Sequence, residues 1–162
     1  MTWIPGRAAL TALVSLLAGC TFATPYRHLQ APDRSATQRT AIVVLTHVVV
    51  DNDKRAPFDE HTRRVIDSLA DQPGMLGYSV RRQIFGNEAW TMTVWRDENS
   101  RARFVASTVH RSAIAASMPA LKSVRTKRLE LPLKEIPMEW ARALQLLEQP
   151  SSTYGGEGNV SR

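Results

Sequence analysis

The residues with the most chemical potential fall in one stretch, Ala89–Met118, AWTMTVWRDENSRARFVASTVHRSAIAASM. Its histidine, His110, can serve as acid, base or neutral metal ligand, because an unperturbed imidazole titrates at about pH 6.5. The same residue can instead cap a helix end, where a cation interacts well with the terminal carbonyls. Trp90 and Trp95 stand five positions apart on a strand pattern and so point to opposite faces. One of them is expected to line a cavity beneath helices and to stack on a flat ligand, and the other to meet a second subunit. A plain core role serves either indole equally well. Arg82 and Arg128 alternate into or out of a sheet. Buried, each would need an anionic partner or ligand; at a rim, each is merely solvated.

A different chemistry is written at the N-terminus. One positive charge, Arg7, precedes the apolar run Ala8–Ala18, AALTALVSLLA, which ends in Leu17-Ala18-Gly19-Cys20. That run is short of the roughly 20 residues that span a bilayer but suits the core of a signal peptide. The four closing residues resemble the lipobox of bacterial lipoproteins. The resemblance implies cleavage before Cys20, a diacylglycerol on its thiol and an acylated amino group. Several acyl chains give durable anchoring where one gives marginal binding. Thr21, rather than an aspartate, follows the cysteine, which by resemblance to enterobacterial sorting implies the outer membrane, facing the periplasm. An ordinary secretory signal or a buried core helix is the alternative.

Composition narrows the rest. The 162 residues allow one domain and a tail. Cys20 is the single cysteine, so an intrachain disulfide or a thiolate zinc site is excluded. The net charge of +6, one less without Arg7, is spread along the chain and gives no nucleic-acid signature. Asp51, Asp53, Asp59 and His61 match no metal-ligand spacing; a turn and a helix start explain them. The chain has no Gly-rich phosphate loop, no His-Glu-x-x-His run and no G-x-S-x-G elbow.

The elements that must position these residues follow from periodicity. Residues 20–39, with Pro25 and Pro32, read as a flexible tether leading from lipidated Cys20. Thr40–Val50 is dense in β-branched residues and apolar on both faces, as a central strand is. Pro57–Gln72 carries the helical stripe His61, Val65, Leu69 and stops at Pro73-Gly74. Met75–Phe85 and Glu88–Trp95 alternate as strands around a Gly86-Asn87 hairpin. Asp97 is suited to N-cap a helix whose inward stripe is Ala102, Val105, Ala106 and Val109, with Phe104 at its edge. A short helical turn over His110–Met118 stops at Pro119. Lys122–Leu131 is the fourth strand, and Pro137–Leu147 a helix with the seam Trp140, Leu144, Leu147. The tail 150–162 is polar and Gly-rich, as disordered tails are.

This order, β-α-β-β-α-β plus a helix, predicts an α+β, ferredoxin-like sheet over residues 40–149. One face of that sheet has no cover in the helix count, and a second copy is the expected cover, giving a homodimer.

The segment PGMLGYSVRRQIFGNEAWTMTVWRDENSRARFVASTVHRSA resembles the dimeric α/β-barrel superfamily, in particular antibiotic-biosynthesis-monooxygenase (ABM)-like domains. The matching features are Pro73-Gly74, Gly77, Thr93-x-Trp95, Phe104 and His110, with Pro137-x-x-Trp140 shared with an uncharacterised related group. The resemblance implies a dimeric barrel and leaves activity open, since the superfamily spans cofactor-less quinone-forming oxygenases, haem-degrading enzymes and members with no known reaction. In haem-degrading members a histidine of the second helix ligates iron and an asparagine near the start of the first strand assists. Here Thr40–Val50 has no asparagine, and His47 is the nearest nominee.

Two functions follow. The first is a cofactor-independent monooxygenase-like protein for a small aromatic or quinol-type substrate, with His110 as proton acceptor and Trp95 as stacking wall. Ligand contacts would come from His47, Arg82, Trp90 and Phe104. The second is a non-catalytic envelope module that binds a small apolar ligand, haem or a protein partner. A polar network converging on a closed cavity would favour the first; a cavity filled by Trp95, Phe104 and Met92, with His110 pointing to solvent, would favour the second.

Overall fold

A computed structural model describes residues 20–30 and 39–149. The expected signal peptide (1–19), the middle of the tether and the tail (150–162) lie outside the described residues.

Strand β3 (Thr40–Val50) is the axis of the fold. It pairs antiparallel with β5 (Glu88–Trp95) on one side and β6 (Leu121–Pro132) on the other. Beyond β5 lies β4 (Met75–Gln83), so these four strands stand in the order β4-β5-β3-β6. That is the ferredoxin-like arrangement, and β3 and β5 keep the bounds that their alternation predicts. The turn before β4 is closed by Met75 N–H to the Gln72 carbonyl (3.1 Å). Gly74 takes φ +80° there, the left-handed value that glycine adopts without steric cost.

Three helices cover one face: α1 (Arg55–Ser68), α2 (Glu98–Ala106) and α3 (Thr108–Ser117). Ile42, Leu69, Met75, Tyr78, Trp95 and Phe104 form the core beneath them. The expected stripe on α2 is corrected here. Ala102 and Ala106 are exposed, whereas Ser100 and Phe104 are buried. The helical register ends at Ser107, which is extended (φ −67°, ψ 153°) and N-caps α3 through its hydroxyl, so a single stripe cannot run through to Val109. Asp97 caps α2 as expected, accepting from Ser100 N–H at 2.7 Å.

The second face is not bare, contrary to the expectation from the helix count. Helix α4 (Trp140–Glu148) lies on it, and Ala41, Val43, Leu45, Leu76, Met92 and Val94 close a core with Ala143 and Leu147. Trp140, Ala143, Leu144 and Leu147 repeat at helical spacing, which is why this helix has one apolar side to offer. It starts three residues later than Pro137 suggests. Lys127 gives its ammonium to the Leu146 carbonyl (2.8 Å), a cation on the last turn of α4.

The tether is likewise corrected at its start. Thr21–Ala23 (β1) and Arg27–His28 (β2) pair with the outer edge of β4, with Thr21 opposite Gln83 and His28 opposite Gly77. An edge strand tolerates the intervening Pro25, because it needs hydrogen bonds on one side only. Ser79 joins this segment to α4: its hydroxyl donates to the Thr24 carbonyl (2.8 Å) and accepts from the Trp140 indole N–H (3.0 Å).

Candidate functional site

The two tryptophans of β5 separate as their spacing requires. Trp95 faces the three helices and is 1% exposed. Its ring lies 5.0 Å from Phe104, and Phe104 lies 4.8 Å from His110. The Trp95 indole N–H donates to the Thr93 hydroxyl (3.1 Å). Trp95 is thus a core wall one layer behind Phe104, and the open stacking surface expected of it is absent in this state. Met92 sits on the opposite face, so it does not share the Trp95–Phe104 core.

His110 is the third residue of α3 and is half-buried. Its Nδ1 lies 3.2 Å from the Val105 carbonyl in the last turn of α2. A carbonyl only accepts, so Nδ1 carries the proton and Nε2 holds the lone pair of the neutral ring. One contact therefore does two things: it satisfies a terminal carbonyl of α2 and fixes the basic nitrogen of His110.

The other tryptophan, Trp90, stacks on His47, with ring centroids 4.9 Å apart and planes 7° from parallel. His47 is 5% exposed. Its Nε2 lies 2.7 Å from a Glu88 carboxylate oxygen, and Arg125 reaches its Nδ1 at 2.9 Å. A guanidinium cannot accept, so Nδ1 is the acceptor and Nε2–H donates to Glu88. Burial pushes the imidazole below the ordinary histidine range; Glu88 opposes this and Arg125 adds to it. His47 is held neutral with both nitrogens committed, which leaves neither for a ligand. Glu88 and Arg125 escape a reading by motif because they lie 41 and 78 residues from His47. Strand register is the signal that finds them, since His47 stands opposite both Trp90 and Arg125.

The remaining nominees settle at rims. Arg82 pairs with Asp59 at 3.0 Å, and Arg128 with Glu98 at 2.6 Å. Glu98 is raised by burial, but hydrogen bonds from Arg101 and Arg128 outweigh that and hold it below its usual range. Asp51 caps the 3-10 turn Asn52–Lys54. The sheet thus brings together Trp95, Phe104 and His110 on one side and His47 with Trp90 on the other. Arg82 joins neither group.

Fold and geometry define a ferredoxin-like α+β domain. Residues 41–116 match the family model described as antibiotic biosynthesis monooxygenase (ABM). Solved structures of similar fold include a candidate monooxygenase from Lactobacillus acidophilus (18% identity, TM-score 0.54, 65% of this chain and 49% of that one). Another is a candidate antibiotic biosynthesis monooxygenase from Caulobacter crescentus (18% identity, TM-score 0.53, 58% and 92%). A Pseudomonas aeruginosa protein has 12% identity and a TM-score of 0.55, covering 59% and 98%. The chain spans about half the length of the Lactobacillus protein. At these identities the likeness concerns fold alone. No curated protein matches the chain.

Proposed function

We propose that this ABM domain is a cofactor-independent monooxygenase-like protein for a small, flat aromatic or quinol-type substrate, with His110 as its base. The observation that carries this reading is the His110–Val105 contact, which makes Nδ1 the hydrogen-bond donor and sets the imidazole against the Phe104 ring. Nε2 takes the acidic proton of the substrate, and the Val105 carbonyl stabilises the imidazolium that forms. The substrate anion passes an electron to dioxygen, and the radical pair joins as a peroxide. Loss of water leaves a carbonyl where a CH2 stood: one oxygen atom stays in the product and the other leaves as water. Phe104, packed between Trp95 and His110, is the apolar wall beside the base. Haem fits these residues poorly, because the ring pair fills the space over β5 and β3 offers no asparagine. The test is product formed from a tricyclic anthrone under 18O-labelled dioxygen, where one labelled oxygen per quinone, dependent on the protein, is expected.

The burial of Trp95 and Phe104 against each other favours a second reading, a non-catalytic module that binds a small apolar ligand or a protein partner. Both readings carry the same anchor. The lipobox-like Leu17–Cys20 supports acylation of Cys20 and a place in the bacterial envelope, at the outer membrane facing the periplasm. Cys20 is exposed, as a lipidation site must be. No helix among the described residues is long and apolar enough to cross a membrane, so attachment in this reading is by acyl chains. A homodimer is part of the proposal, since ABM domains are typically dimeric.

A further inference from the structure

We infer that the end of the sheet bearing the β4–β5 hairpin is a membrane-docking surface, seated on the phospholipid headgroups by Phe22, Ile84 and Phe85. The inference rests on the acylation of Cys20 proposed above.

Its first support is the distribution of exposed apolar side chains. Among the described residues the large exposed hydrophobics are Phe22 (56%), Ile84 (51%), Phe85 (71%), Ile114 (47%) and Met118 (44%). They are not scattered. Ile84 and Phe85 form the hairpin loop, and Phe22 stands opposite Arg82 on the neighbouring edge strand. Met118 belongs to the 3-10 turn whose Ala120 carbonyl accepts from Asp51 N–H (2.8 Å), immediately after β3 ends. Ile114 is one helical turn before it. The hairpin reaches the same place, because Val50 N–H donates to the Asn87 carbonyl (2.9 Å). All five therefore lie at or within a turn of one end of the molecule. Singly exposed apolar residues need no explanation, but a grouped patch marks an interaction surface.

The second support is where the chain enters. The Cys20 carbonyl accepts from Ile84 N–H (3.0 Å), and β1 begins at the next residue. No spacer separates the lipidated residue from the folded sheet. Acyl chains on Cys20 would hold the hairpin within headgroup reach, so the exposed rings of Phe22 and Phe85 meet lipid before anything else. The surrounding charges suit that occupant: Lys54, Arg55, Arg82 and Lys122 balance Asp51, Asp53, Asp59 and Glu88, so anionic headgroups meet no net repulsion.

The opposite end supplies the control. Lys134 is exposed in the 3-10 turn Leu133–Glu135 just past β6, where Leu133 N–H bonds the Arg39 carbonyl before β3 starts. Eleven residues of β3 at about 3.3 Å each put it roughly 35 Å from the hairpin, beyond the ~5–10 Å depth at which interfacial side chains lie. The full chain, made in a bacterial host with p-benzoylphenylalanine at position 85 or 134, is irradiated in the isolated membranes. Adducts and the Cys20 peptide are then weighed by mass spectrometry. Expected are acyl groups on Cys20 and about fivefold more phospholipid adduct from position 85 than from 134. An acylated Cys20 with equal or no adduct at 85 overturns the docking and leaves the anchor standing. An adduct at 85 to a second copy of this chain also overturns it. An unmodified Cys20 removes the anchor itself, and the docked geometry with it.

Discussion

The His47 ring lies flat on the Trp90 indole, its two nitrogens spanned by Glu88 and Arg125. The pair sits on the face away from the three helices, at the end of the apolar core that α4 covers. Because Nδ1 accepts from Arg125 and Nε2–H donates to Glu88, protonation would place a second hydrogen against a cation. The network is built for the neutral ring, which makes it a stability element and sets a pH dependence.

The sign follows from the depressed imidazole. The unfolded chain binds the proton at about pH 6.5, whereas the folded one holds out to lower pH. Stability from His47 is fully present above the unfolded value and is lost as pH falls from there toward the folded value. Asp97, held low by hydrogen bonds from Ser100, and Glu98 act in the same direction in a later window, below about pH 4.5. Urea midpoints between pH 7 and 5 are expected to fall, with a slope of no more than about 1.4 kcal/mol per pH unit from this group. In His47→Leu that slope should disappear; an unchanged slope would assign it elsewhere.

Gly77 reports on the docking of the N-terminal segment. A methyl there would overlap the Tyr26 hydroxyl and the Arg27 carbonyl oxygen. Tyr26 is well enough buried that its phenol is pushed up out of the ordinary range. Gly77→Ala is expected to loosen β1 and β2 while leaving β3–β6 folded. Hydrogen exchange should show at least about tenfold faster exchange at Thr24 and Leu29 N–H, whose partners lie on β4, and little change at Val43. Equal protection in variant and wild type would mean the segment is not held there.

Helix α4 contributes through burial more than through its one side-chain hydrogen bond to β4. Leu147→Ala is expected to destabilise by about 2–5 kcal/mol, and Trp140→Phe, which loses the bond to Ser79, by about 1 kcal/mol. Chemical denaturation measures both. A Leu147→Ala variant as stable as wild type would place α4 off the sheet in solution.

The fold was readable where side chains alternate cleanly. TAIVVLTHVVV and EAWTMTVW set the bounds of β3 and β5, because β-branched and aromatic residues leave the backbone one comfortable conformation. Thr21–His28 carries no such alternation and is a strand only because β4 offers it an open edge, a tertiary fact. The break at Ser107 was hidden for a similar reason: an apolar stripe through Val109 looks continuous until a serine hydroxyl caps the next helix. Of the candidate site, Phe104 was visible at the edge of an apolar helical stripe and His110 just beyond it. The commitment of His47 to Glu88 and Arg125 was not, since it exists only after three strands are in register.

The most direct measurement is dioxygen uptake with a tricyclic anthrone, corrected for the protein-free rate, in wild type, His110→Ala and His110→Gln. Thermal melts check that each variant is folded. The account predicts protein-dependent uptake in the wild type that falls about 100- to 10,000-fold in both variants, because glutamine can keep a bond to the Val105 carbonyl but cannot take the proton. Uptake in either variant within about twofold of wild type, or none above background in the wild type, would contradict it.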